Sequence, residues 1–319
     1  MLVLPEAYIG HAAGLATSVL WTFTSLFFTA ASRRIGPTAV NATRIGMAVV
    51  LLGVTHRIWA GSWVPEASGR QVTLLALSGL LGLSLGDQAL LTAFVAIGPR
   101  LAMLIMTTAP LLAALFGWLA LDEMLSPLAW IGVTATVGGV AWVVLERPHP
   151  GAPTPHGHRA RGLLLAFVAA TCQAGGYLLS KAGLGHGWLP ETEQMNPQAA
   201  TLVRMVFAAC GMVPVVYIHW LRGRARRAAG LRTTRAGSRR TGTLLAFGGS
   251  LVGPYLGVWM SLVAAHHAPL AVAQTLCSLP PIFVLPFARL VYREPISLRA
   301  VLGALVAVGG VTLLFVPKA

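Results

Sequence analysis

"LDEMLSPLAWIGVTATVGGV" at residues 121–140 is answered, 171 positions later, by "YREPISLRAVLGALVAVGGV" at 292–311. Glu123 meets Glu294, Ser126 meets Ser297, Gly132 meets Gly303, and "VGGV" at 137–140 meets "VGGV" at 308–311. The same offset holds upstream, where Gly82 pairs with Gly253, Gly86 with Gly257, Pro110 with Pro281 and Phe116 with Phe287. Register kept this far marks a duplication. Earlier in each half the offset falls to 160, pairing Arg44 with Arg204, and then to 148, pairing "SRR" at 32–34 with "SKA" at 180–182. Two insertions account for the steps, "HGWLPETEQMNP" at 186–197 and "RGRARRAAGLRTTRAGSRR" at 222–240. Insertions settle in loops, so both are read as loops.

The duplicated unit is built for lipid. Hydrophobic residues make up 56% of the chain and charged residues 10%, and the mean hydropathy is +0.73; a soluble domain carries about 45–50% apolar and about 25% charged residues. Apolar runs of about 18 to 26 residues recur, long enough to cross a hydrocarbon core as helices. They lie at 9–31, 37–56, 72–96, 101–121, 128–146, 162–180, 198–221, 242–265, 269–290 and 298–316. The runs are continuous, without the alternation of a barrel strand, and in lipid each helix satisfies its own backbone. The fold class is therefore an all-α integral membrane protein with ten transmembrane helices. The first span follows "MLVLPEAYIGHAAG", which has neither a basic region nor a small-residue cleavage signal, and it is expected to be retained.

Each copy then holds five spans, and an odd number obliges the second to enter the membrane upside down. The reading is of two inverted five-helix repeats, 1–146 and 162–319, joined by a Pro/Gly/His-rich linker at 147–161. Such folds place a substrate site near the midplane between the repeats and open it to each side in turn. With five spans per copy, both termini share one side of the membrane.

The residues also reach a family. "APLLAALFGWLALDEMLSPLAWIGVTATVGGVAWVV" at 109–144 and its copy "LPPIFVLPFARLVYREPISLRAVLGALVAVGGVTLLF" at 279–315 each show a proline-centred helix, a Glu about 13 residues on, and a glycine-rich fifth helix. With Arg44 and Arg204 near the start of each second helix, this resembles the EamA type of drug/metabolite transporter. The resemblance covers nearly the whole chain and departs from the family in the long basic loop and in Gly86-Asp87. It implies a membrane carrier of small metabolites, amino acids or drugs.

"GLSLGDQALL" at 82–91 holds the one acid near the middle of a span. An ionised Asp near the bilayer centre costs about 2.5–3.5 kcal/mol, so it persists only facing protein or a watery cavity. Ser84, Asp87 and Gln88 share one helical face. Under the 171 offset Ser84 maps to Tyr255 and Gln88 to Trp259, while Asp87 maps to Val258. Met103, Met106 and Thr107 map to Gln274, Cys277 and Ser278, and under the 148 offset Thr22, Ser25 and Thr29 map to Ala170, Gln173 and Tyr177. Symmetry-related polar stripes suit a cavity between repeats. The candidate substrate-binding residues are Ser84, Asp87, Gln88, Gln173, Tyr177, Tyr255, Trp259 and Gln274. Asp87 is the proton-coupling candidate, or else holds a cationic group with help from aromatic faces; the plainer reading makes it structural, bonded to Gln88 or paired with Arg44. Small polar residues also pack helices without touching any ligand.

Other features have plainer readings. Arg44 and Arg204 can snorkel to the interface, and Glu123 and Glu294 sit at helix ends as caps or gates. The glycine pairs at 138–139 and 309–310 let helices approach closely. Cys172, Cys210 and Cys277 are apolar filler within spans. His149, His156 and His158 belong to a solvated linker, and the pair His266 and His267 lacks a third metal ligand; neither a metal nor a cofactor is expected. The net charge of +14 is concentrated in eight arginines at 222–240 with no aromatic interleaving, which points to anionic lipid headgroups and away from nucleic acid. Counting loop Lys and Arg sets 16 on the side of that loop against 4 on the other, among them Lys181. The positive-inside rule then places both termini outside, whereas the resemblance implies cytoplasmic termini.

Three classes remain. A transporter of the inner cell membrane, exporting small metabolites or amphiphiles, is the reading that the repeat and the polar stripes carry. A membrane-embedded enzyme acting on lipids needs a convergent catalytic constellation, and Asp87, Glu123 and Glu294 are scattered along the sequence. A channel needs charged rings or a hydrophobic gate. The expected partners are a small-molecule substrate and membrane lipid, and a homodimer is compatible with the fold.

Overall fold

The computed structural model describes residues 6–97, 99–145, 159–190, 192–228, 238–283 and 298–315, and every regular element among them is a helix. In chain order these are α1 (Glu6–Ile35), α2 (Pro37–Ala60), α3 (Gly69–Ser78), α4 (Asp87–Ile97), α5 (Pro99–Met106), α6 (Ala109–Leu121) and α7 (Pro127–Val144). The second copy supplies α8 (Arg159–Gly183), α9 (Pro197–Ala228), α10 (Arg239–Ser250), α11 (Val258–His267), α12 (Leu270–Cys277) and α13 (Leu298–Leu314). Local chemistry sets the ends. Gly36, at φ 88°, and Pro37 in the first turn separate α1 from α2, while Gly61 closes α2 at φ 71°. Ser68 and Gln71 form a capping box that opens α3, and the Ser126 hydroxyl accepts the Ala129 N–H at the start of α7.

Among the described residues, eight helices are long and apolar enough to span a bilayer. The expected ninth and tenth spans contribute the shorter apolar helices Leu270–Phe283 and Val301–Leu314; the remainder of the ninth, and Glu294 beyond it, lie outside the described residues, as does most of the linker with its three histidines. The arginine-rich stretch at 222–240 does not begin as a loop. Its first residues continue α9 as far as Ala228, since Arg and Ala are strong helix formers.

Two pairs of spans are less regular than their hydropathy suggests. A π-helical segment, Gly79–Gly86, joins α3 to α4, and another, Leu251–Gly257, joins α10 to α11; the two are equivalent under the 171 offset. Glycines at 79, 82, 86, 253 and 257, with Pro254, loosen the regular i→i−4 ladder there. The fourth span, read as continuous, breaks at Thr107–Thr108 between α5 and α6. Pro110 has no N–H to give the Met106 carbonyl, and its ring crowds that carbonyl. The second copy breaks at the equivalent place, Ser278–Leu279, before Pro280 and Pro281.

The copies are packed through each other. α1 lies along α10 and α11, with Ile35 beside Gly242, Phe28 beside Gly249, and Trp21 beside Gly257. α8 lies along α3 and α4 in the equivalent way, with Gly183 beside Leu75, Gly176 beside Ser78 and Gly82, and Cys172 beside Gly86. α7 and α13 lie backbone against backbone: Gly139 lies on the backbone of Gly303 and Ala307, and Gly310 on that of Gly132 and Thr136. Each pair repeats the other with the copies exchanged, and the partners run in opposite order, so the two helices are antiparallel. Thr136, at the centre, faces Ala307, its own repeat equivalent, at 3.3 Å.

A Cβ at Gly139 or Gly310 would stand 2.5 Å from a neighbouring atom, whereas one at Gly138 or Gly309 meets nothing within 4 Å. Gly139→Ala and Gly310→Ala are expected to destabilise the protein by about 1–3 kcal/mol through overpacking. Gly138→Ala and Gly309→Ala should leave the melting temperature in detergent level or slightly raised. Equal melting temperatures across the four variants would show that this helix pair is not closely packed.

Candidate substrate cavity

A cavity of about 470 Å³ lies between the copies. Its walls take Trp21, Ser25 and Phe28 from α1, Arg44 from α2, and Gln173 and Tyr177 from α8, with Arg204 from α9. Both breaks reach it. Met106 and Thr107 border it from the first copy, and Cys277, Ser278, Pro280 and Pro281 from the second. The π segments flank it through Leu83, Gly253 and Pro254. Loosened turns and interrupted helices in the bilayer are tolerated only where protein or a cavity surrounds them.

Asp87 stands at the junction of the first π segment with α4 and forms an ion pair with Arg44. Arg44 also donates from Nε to Asn41 Oδ1 at 2.7 Å and lies over the Phe28 ring, 5.7 Å from its centre. Of the residues expected at a site, Asp87, Gln173, Tyr177 and Gln274 line this cavity. Tyr177 donates its hydroxyl to the Ser261 carbonyl, and the Gln274 Oε1 is buried without a hydrogen-bond partner among the described residues. Ser84, Gln88, Tyr255 and Trp259 lie outside the lining. Ser84 donates to the Ala208 carbonyl at 2.8 Å, Gln88 Nε2 reaches Thr38 at 3.4 Å, the Tyr255 hydroxyl meets Thr55 at 2.8 Å, and Trp259 packs edge-on against Trp59.

The arginines are where sequence reasoning goes astray. Neither snorkels. Arg44 and Arg204 each stand seven residues into their helix, about two turns from its end, and both line the cavity. Arg204 is only 2% exposed, and its Nε has no partner among the described residues. Their equivalence under the 160 offset was the signal: two cations at matched depth in two copies face the space the copies share.

A second cluster lies where the end of α6 meets α8 and the start of α12. Asp122, in a left-handed conformation at φ 54°, ends α6, and the Glu123 N–H returns to the Gly117 carbonyl. This turn presents the Glu123 carboxylate to the Leu270 N–H at 2.6 Å, capping α12 from the other copy. The capping expected of Glu123 is therefore found, across the copies. Lys181, counted above among loop cations, is instead 5% exposed and bonds Glu123 Oε1 at 2.5 Å and the Ala268 carbonyl. A shallow cavity of about 350 Å³ beside this pair is bordered by His266 and His267, and His186 meets His266 at 3.0 Å. No group of three His, Cys, Asp or Glu suited to a metal occurs among the described residues.

A helical bundle crossing the membrane many times, duplicated, with one polar spot in an internal cavity, has the construction of a carrier. The comparisons agree: the model of the EamA-like transporter family matches the chain twice, over residues 8–145 and 160–316. The chain belongs to that family and is a multi-pass membrane transporter, not an enzyme. The probable 4-amino-4-deoxy-L-arabinose-phosphoundecaprenol flippase subunit ArnE of Erwinia tasmaniensis is similar to it, 40% identical over 84 residues that make up 26% of this chain and 75% of that one. A solved structure described as "Crystal structure of protein" shares the fold at a TM-score of 0.70 and 16% identity, over 95% of each chain.

His186 lies in the loop after α8, where burial first, and then Lys181, His266 and His267, push its pKa from the ordinary 6.5 down to about 4. Between those values the unfolded chain holds the additional proton. Its contribution to stability is thus complete above pH 6.5 and is lost as pH falls toward 4. His186→Gln should flatten the acid side of the stability profile across that window, measured by thermal melts in detergent; a slope identical to that of the native chain would mean that His186 is solvated.

Proposed function

We propose that this protein exports small molecules, in the class of metabolites, amino acids or drug-like compounds, by alternating access between two inverted five-helix repeats with ten spans in all. The observation that carries the reading is the cavity bounded by both copies and by both interrupted helices, since interrupted helices bracket the midplane sites of such carriers. The antiparallel packing of α7 on α13 supports inversion. The domain limits of this reading are 1–146 and 162–319, joined by the linker at 147–161, with the termini on one side of the cell membrane. One chain supplies both halves of the cavity, and a homodimer is compatible with this without being needed for it.

Asp87 is the coupling candidate. In the conformation described here it is engaged by Arg44, and coupling requires a conformation in which the two separate. Export would then follow from proton entry.

Ser25 borders the cavity and is exposed. In a cysteine-free background, Ser25→Cys is expected to react with a membrane-impermeant thiol reagent from either side of proteoliposomes, and the modification should block flux of the labelled solute. Flux that fails to saturate, or that survives modification, would overturn the reading in favour of a channel or another route. Asp87→Asn should abolish dependence on an imposed pH gradient while solute exchange persists; unchanged gradient-driven flux would remove Asp87 from coupling.

A further inference from the structure

The duplication sets equivalent positions on both sides of the cavity, and at one pair of them the copies differ in charge. Arg44 and Arg204 are equivalent, but the acid that neutralises Arg44 has no counterpart: at the position equivalent to Asp87 the second copy has Val258, which also lines the cavity. Among the lining residues the charged groups are Arg44, Arg204 and Asp87, leaving one positive charge in excess. Asp87 is bonded to Arg44 and reaches Arg204 only through space. Arg204 forms no ion pair among the described residues, and its buried Nε has no acceptor.

A guanidinium is a forked donor that stays charged wherever it is placed, and carboxylate and phosphate groups match its geometry. We propose that the transported molecule carries an anionic carboxylate- or phosphate-type group, and that Arg204 binds it in the place that Asp87 fills beside Arg44. The proposal rests on the cavity being the transport site. The unpartnered Gln274 Oε1 supplies an acceptor for an N–H or O–H of the same molecule, and Trp21, Phe28, Leu83 and Met106 supply an apolar wall for its body. A cation is disfavoured, because the one acid in the lining is already matched.

The test is thermal stabilisation of purified protein in phosphatidylcholine nanodiscs by three probes: phenylacetate, phenyl phosphate and the neutral phenylacetamide. A ligand of the folded state stabilises it by mass action. The acid or the phosphate should bind at least about tenfold more tightly than the amide, a preference of one charge-assisted contact. Arg204→Gln should erase that preference. Val258→Asp, which restores the missing carboxylate, should abolish anion binding while raising the melting temperature of the ligand-free protein, and it carries the test where Arg204→Gln fails to fold. Repeating the titration with phosphatidylglycerol in the disc separates the sources: competition there identifies a lipid headgroup as the anion, and its absence a soluble one. An amide that binds as well as the acid, an anion preference that survives both substitutions, or no anion-dependent stabilisation overturns the proposal. In those cases a Ser25→Cys modification that still blocks flux leaves the cavity reading standing, and one that does not shows that the cavity reading itself failed.

Discussion

Hydrocarbon offers no hydrogen bond to a peptide group, and that constraint organises the molecule. A helix crossing lipid can be loosened or interrupted only where neighbouring protein or an internal cavity surrounds the released groups. The two π segments and the two proline breaks meet that condition together, because all four converge on the space between the copies. Glycines make the convergence feasible. At Gly82 and Gly176, and again at Gly139 and Gly303, backbones lie in contact with no side chain between them, and dispersion and weak polar contacts hold helices that the hydrophobic effect cannot drive together within a bilayer.

Pseudo-symmetry of this kind supplies two of everything, and function enters where the copies differ. Arg44 is neutralised by Asp87, held by Asn41 and covered by Phe28. Arg204 has the same depth and, among the described residues, no ion pair. A buried charge without a partner costs several kcal/mol. The second cluster also joins the copies, through Glu123 on the end of α12 and Lys181 of α8.

The extent to which the sequence foretold this differs from one feature to the next. Helix class, the membrane setting and the duplication were legible, because they follow from length, hydropathy and matched spacing along one chain. Asp87, singled out as an acid within a span, lies in the cavity wall together with Arg44 and Arg204. The polar stripe that suggested it also suggested Ser84 and Gln88, yet these turn to α9 and α2. A helical face is wide enough to touch a neighbour with one residue and a cavity with the next, and periodicity does not separate the two.

By itself, then, the sequence determined that the chain is a bundle of membrane helices in two related halves, since each helix must satisfy its own backbone and bury its own length of lipid. Only the tertiary structure decided which polar groups meet. Arg44 and Arg204, read as interfacial, point inward because an acid and a shared cavity lie there; Lys181, read as a loop cation, is buried because Glu123 arrives from another helix. These outcomes depend on distances between elements far apart in the chain, which are set by where glycines let backbones touch and where prolines make a helix stop.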